Sequence, residues 1–255
     1  MNQRPEQQLA SLAARSPLST PVLHYWAMFR PALVGKLEEL RAFDPGGQAR
    51  SWACTGAAVL DDQLGGGLPR GAVTEIFGES GEGAWWLGLR ALAQVQGKVC
   101  ALVEPAGTFY PPGAACLGVD LSRLLVVRES NVKKALWALE RVAREKQVSA
   151  TLAAISKLND TEIRRLQLAA ESSGQALILL RPPAELSRAS WGALRLLVRS
   201  EPGAGRRIVV EILRVRGGAM PRPVLLEFDD EAMAVRTSSL LPHRAGRAGF
   251  AAHAG

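Results

Sequence analysis

Histidine and cysteine are scarce, with three of each in 255 residues. His24, His243 and His253 stand far apart, and Cys54, Cys100 and Cys116 include no C-x-x-C pair. Neither a catalytic triad, a zinc or other metal site nor a disulfide framework is therefore indicated, and no metal is expected. Apolar runs are short as well. Nothing approaches the ~20 apolar residues needed to cross a bilayer, and the opening MNQRPEQQLA lacks the apolar centre of a secretion signal, so a soluble, cytoplasmic protein without membrane contact is expected. Lysine is missing between 181 and 222, where nine arginines (181, 188, 195, 199, 206, 207, 214, 216, 222) face three glutamates (185, 201, 211), an excess of 9 − 3 = +6.

The chain has 47% hydrophobic residues, a formal charge of +7 and 27.3 kDa, enough for one large α/β domain with appendages. Its basic balance suits a nucleic-acid partner or an acidic protein surface. Arginine without lysine favours two-pronged contact with phosphate or carboxylate, so Arg181, Arg188, Arg199, Arg206 and Arg207 are candidates for DNA or partner binding. Their other reading is a charged strand edge that resists pairing.

The stretch 55–86 organises the rest. A glycine-rich turn leads to the apolar strand 73–77, then a Gly-rich loop, then an apolar helix. A phosphate-binding loop runs G-x-x-x-x-G-K-[ST]; Gly78 and Gly83 hold the glycine places, while Ala84 and Trp85 stand where lysine and the hydroxyl belong. The lysine that neutralises phosphate and the ligand that holds Mg²⁺ are both gone, and Glu82 adds negative charge. A retained backbone turn without ATP chemistry, and no cofactor, is expected.

Around this stretch, residues 1–20 look like a flexible arm, and Trp26, Phe29, Leu33 and Leu37 fall at helical spacing that Pro31 interrupts. Residues 1–47 are read as an arm with N-terminal docking helices, 48–240 as the core and 241–255 as a flexible tail. Strands are expected at 73–77, 98–103, 124–127, 149–155 and 176–180, with helices at 84–95, 131–146 and from 159–162 to 170, where Asn159 and Glu162 have capping-box spacing. Residues 104–113 read as a loop. Alternating strands and helices, the strands apolar on both faces, predict a mainly parallel sheet covered by helices on both faces. Three consecutive strands at 193–198, 207–216 and 223–228 then predict an antiparallel C-terminal extension.

The segment Thr55-Gly56, Leu60-Asp61, Leu64-Gly65, Gly67-Leu68-Pro69-Arg70-Gly71, Glu75-Ile76, Gly78, Glu79-Ser80, with Leu117-Gly118-Val119-Asp120 and Leu124-Leu125 downstream, resembles the core of the bacterial RecA recombinases. Arg164-Arg165-Leu166-Gln167-Leu168-Ala169-Ala170-Glu171 and Leu179-Leu180-Arg181-Pro182 are similar, more narrowly, to the ImuA family, RecA-like and SulA-related accessory proteins of inducible translesion synthesis. That resemblance implies a RecA-like core whose acids have also gone. Thr151 to Ser156 ends without the magnesium-linked aspartate, no acid follows until Asp160, Glu104 lies about two positions early, and Ala106 fills the place of the water-activating glutamate. The two DNA-binding loops would be short, at 156–161 and 182–189.

The function so implied is not enzymatic. It is an adaptor in DNA-damage-induced (SOS) mutagenic translesion synthesis, with RecA, ImuB and, through ImuB, an error-prone C-family polymerase as partners, and weak, non-specific DNA contact. The alternatives are an ATP-dependent DNA-binding enzyme with an unorthodox site and a SulA-like inhibitor of cell division. In RecA filaments a basic-x-basic pair at a strand end reaches the nucleotide of the neighbouring protomer. Arg214 and Arg216 occupy the matching place and form the expected RecA-facing pair.

Overall fold

Apolar runs without alternation demand burial on both faces, and the central strands have it. The computed structural model describes residues 52–95, 98–203, 205–215, 221–229 and 234–242. In chain order these form β1 (Trp52–Ala53), α1 (Ala58–Gln63), β2 (Leu68–Pro69), β3 (Ala72–Phe77), α2 (Ala84–Ala93), β4 (Val99–Val103), α3 (Pro111–Cys116) and β5 (Leu124–Val127). They continue as α4 (Val132–Ala143), β6 (Val148–Ala153), α5 (Asp160–Ser173), β7 (Ala176–Arg181), β8 (Leu194–Ser200), β9 (Arg207–Val215), β10 (Val224–Asp229) and β11 (Ala234–Leu240).

Nine strands make one sheet in the order β11-β10-β9-β8-β3-β7-β6-β4-β5. The pairs from β8 to β5 are parallel and those from β8 to β11 antiparallel. Every residue of β3, β4, β6 and β7 is buried. Alternation sends Ile76, Leu102, Leu152 and Ile178 into a core shared with α2 and α3, and Val73, Val103, Ala153 and Leu177 into a second core under α4 and α5. The predicted α/β class, its two-sided helical cover and its antiparallel extension are all present.

Local chemistry explains the boundaries. Asn131 accepts from the Lys133 and Lys134 amides to start α4, and Asn159 with Glu162 forms the predicted capping box of α5. Gly174, in the left-handed region at φ 77°, ends α5. Within β4, burial pushes the Cys100 thiol up to about 12, so this cysteine is an inert core residue.

Several elements differ from expectation. Residues 111–113, the end of the stretch read as loop, instead open α3, because Pro111 and Pro112 fall in the first turn, where a missing N–H costs nothing. The polar segment 234–240 becomes β11 by pairing with β10, and β1 and β2 form a separate two-stranded ribbon. In that ribbon Gly67 has φ 121°, and a Cβ there would lie 2.4 Å from the Ala53 carbonyl oxygen. Gly67→Ala is therefore expected to cost about 1–3 kcal/mol or more, seen as a lower midpoint in urea unfolding. An unchanged midpoint would mean that the ribbon adds nothing to the fold.

The docking residues Trp26, Phe29, Leu33 and Leu37, together with Arg216 and residues 243–255 of the tail, lie outside the described residues.

Candidate functional site

The C-terminal ends of β3, β7 and β8 carry the chemistry-bearing loops. Leaving β3, the chain turns through Gly78–Gly83 into α2, with Gly83 at φ 103°. A Cβ on Gly83 would lie 3.0 Å from the Ile208 side chain, and one on Gly78 would lie 3.0 Å from Ala84 and 3.1 Å from the Val198 carbonyl. The turn is present, and glycine is favoured most at Gly83, where the positive φ adds to the close approach of Ile208. Ala84 is 5% exposed and Trp86 4%, with the Trp86 ring edge-on to Phe228 at 4.6 Å. Trp85 is half-buried and lines a cleft of about 310 Å³ with Leu89, Phe109, Tyr110 and Arg206. Within the loop the Glu82 carboxylate accepts the Glu79 N–H at 3.1 Å.

The neighbouring strand ends supply little for phosphoryl transfer. After β6 come Ala154, the buried Ile155 and Ser156, and Asp160 is the exposed first residue of α5. Ala106 is exposed, whereas Glu104 is wholly buried. One Glu104 oxygen accepts the Thr108 N–H at 2.8 Å and the Thr108 hydroxyl at 3.1 Å, while the other is buried without a hydrogen-bond partner among the described residues. A magnesium-bound triphosphate needs a cation in the loop, a metal-binding hydroxyl after it and an acid at a strand end. The residues present do not fit that group: the cation's place is a buried alanine, the hydroxyl's an indole, and the loop carries two carboxylates.

Beside the loop lies an ionic cluster that the sequence does not announce. Arg181, its side chain fully buried, pairs with Glu75 and Glu185 and donates to the Leu158 carbonyl at 3.3 Å. Arg195 approaches Glu75 at 3.4 Å and lies over the Phe77 ring at 4.8 Å. Two carboxylates thus meet two guanidiniums out of water, an arrangement that is tolerable only when paired and hydrogen-bonded. Glu185 also accepts the Lys157 N–H at 2.7 Å, with Lys157 held at φ 62°. The loop after β6 and the loop after β7 are therefore tied to one carboxylate. The available signal was Glu75, a lone acid in a buried apolar strand.

This corrects one site expectation. Arg181 has no surface to offer DNA, because Glu75, 106 positions earlier, draws it into the core. The other arginines separate by environment. Arg199 pairs with Glu211, and Arg207 with Glu227 at 3.6 Å, between strands of the antiparallel extension. Arg206 is exposed and lies 5.4 Å over the Phe228 ring, and Arg188 is exposed. Arg214 is exposed at the end of β9 and donates to the Ser190 carbonyl at 2.7 Å.

Residues 47–160 match the family model of the RecA N-terminal domain. The solved RadB recombinase superposes with a TM-score of 0.60 over 72% of this chain and 99% of its own, at 18% identity. The core is thus similar to RadB in fold. Among curated relatives, RecA of Chlorobaculum tepidum is 44% identical over 93 residues, 35% of this chain and 27% of that protein. RecA of Crocosphaera subtropica is 42% identical over 96 residues, covering 37% and 28%. RecA of Prochlorococcus marinus is 34% identical over 149 residues, covering 58% and 41%. The chain thus spans between 27% and 41% of the length of these relatives. No helix among its described residues is long and apolar enough to cross a membrane.

Proposed function

We propose that this chain is a non-catalytic RecA-like adaptor in DNA-damage-induced mutagenic translesion synthesis, linking RecA to an assembly of ImuB and an error-prone C-family polymerase. The observation that carries the non-catalytic part is the loop before α2, where Ala84 is buried and Trp85 opens onto an aromatic-lined cleft in place of lysine and hydroxyl. The pathway rests on the likeness of residues 164–171 and 179–182 to the ImuA family, since a fold by itself does not give a function. ATP takes no part in the adaptor's action.

Three measurements test this. Titration calorimetry should show no Mg-ATP binding in the micromolar range, and Ala84→Lys with Trp85→Thr should not gain turnover, because the strand-end acids are missing too. Micromolar binding that disappears on altering Gly78–Gly83 would favour an unorthodox ATPase instead. Capture of the tagged chain from damaged cells should bring down polymerase components; cell-division proteins in their place would favour the SulA-like alternative.

A further inference from the structure

Helix α4 buries Ala135, Leu139, Val142 and Ala143 against the sheet. Its outward arc consists of Lys133, Lys134, Trp137, Arg141 and Arg144, all exposed. The arc holds no acid: Glu140, at its margin, is buried and held by Arg165 at 2.5 Å, and Glu145 lies past the C-cap, half-buried and already engaged. Arg141 and Arg144 suit the negative end of the helix dipole. Lys133 and Lys134 do not, because cations in a first turn oppose the dipole. Folding gives no reason for them.

Trp137 is equally unexplained by packing, being 58% exposed with the Arg141 guanidinium 5.8 Å from its ring centre. The pairing recurs on the adjacent α5 surface, where Arg164 lies 4.8 Å over Trp191, itself 46% exposed. Five cations flanked by exposed indoles match a polyanion whose bases are free to stack. A duplex hides its base faces, and protein interfaces are poor in lysine. We propose that the outer face of α4, centred on Trp137, binds single-stranded nucleic acid, with Lys133, Lys134, Arg141 and Arg144 on phosphates and the Trp137 indole against an unpaired base. From Lys133 to Arg144 the helix runs about 16 Å, room for a few nucleotides.

The inference stands apart from the adaptor reading; a chain that captured no polymerase component would still show it. The test uses the full chain, fluorescence anisotropy and a labelled oligothymidylate, with a duplex of equal length for comparison. Single strands should bind more tightly than duplex. Glutamine at Lys133, Lys134, Arg141 and Arg144 should flatten the dependence of log affinity on log salt by about 0.7 for each phosphate that is no longer neutralised. Trp137→Ala should weaken binding roughly fivefold to tenfold, while Trp137→Phe keeps most of it and reduces fluorescence quenching by the oligonucleotide. All these positions are on the surface, so thermal midpoints should not move. Equal affinity for duplex, or a glutamine variant that binds single strands like the parent at every salt concentration, would overturn the proposal, as would capture of a protein on this face with no oligonucleotide binding.

Discussion

Arg181→Ala is expected to destabilise the fold by about 3–5 kcal/mol, because it strands Glu75 and Glu185 in the interior without their cation. For a core of this size that corresponds to a fall of roughly 6–20 °C in thermal midpoint. Exposed arginines such as Arg188 should do almost nothing when truncated. A double-mutant cycle sharpens the test. Glu75→Met combined with Arg181→Met should cost less than the sum of the single changes, since the pair removed together leaves less uncompensated charge. A normal midpoint in Arg181→Ala with weakened DNA binding would restore Arg181 to the surface role that the sequence suggested.

The second large effect concerns RecA. We hypothesise that Arg214 and Arg216 complete a face that docks on the end of a RecA filament, motivated by the exposed place of Arg214 at the end of β9 and by Arg216 following two residues later in the sequence. Losing a desolvated, paired guanidinium at an interface costs ~2–5 kcal/mol, against almost nothing for a solvated one. Arg214→Ala with Arg216→Ala should therefore weaken association with ATP-bound RecA filaments by well over tenfold, as measured by surface-immobilised binding. Arg214 also donates to the Ser190 carbonyl, but this exposed bond contributes little to folding, and the midpoint should stay put. Unchanged association in the double variant, or none by the parent, removes the idea.

The sheet was legible because its strands are largely apolar: the unbroken runs 99–103 and 176–180 announce burial on both faces. The capping box at Asn159 and Glu162 was equally local. What could not be read depends on pairing with other elements. Residues 234–240 have little apolar character and become a strand only beside β10. The arginine run looked like one surface patch because Glu75 and Glu227, which engage Arg181 and Arg207, lie outside it. In the candidate site the glycines and the missing lysine were visible, whereas the burial of Ala84 depends on the core that it shares with Val198 of β8 and Ile208 of β9. The outer face of α4 escaped notice for a simpler reason. A helical pattern is recognised by the side chains it buries, and Trp137 is not one of them.

Glu185 joins two stretches of backbone that are 28 residues apart. One of its oxygens accepts from Lys157 in the first loop, and the other pairs with Arg181, under the second. Neither loop can swing out without withdrawing that carboxylate from the other, so the two share a single opening equilibrium rather than having one each. Amide hydrogen exchange would then show one common protection factor for Lys157 and for Arg188, whose N–H donates to the Glu185 carbonyl at 3.1 Å. Both amides should speed up together in Glu185→Gln. A ligand could no longer order one loop and leave its neighbour loose; it would have to accept both as found.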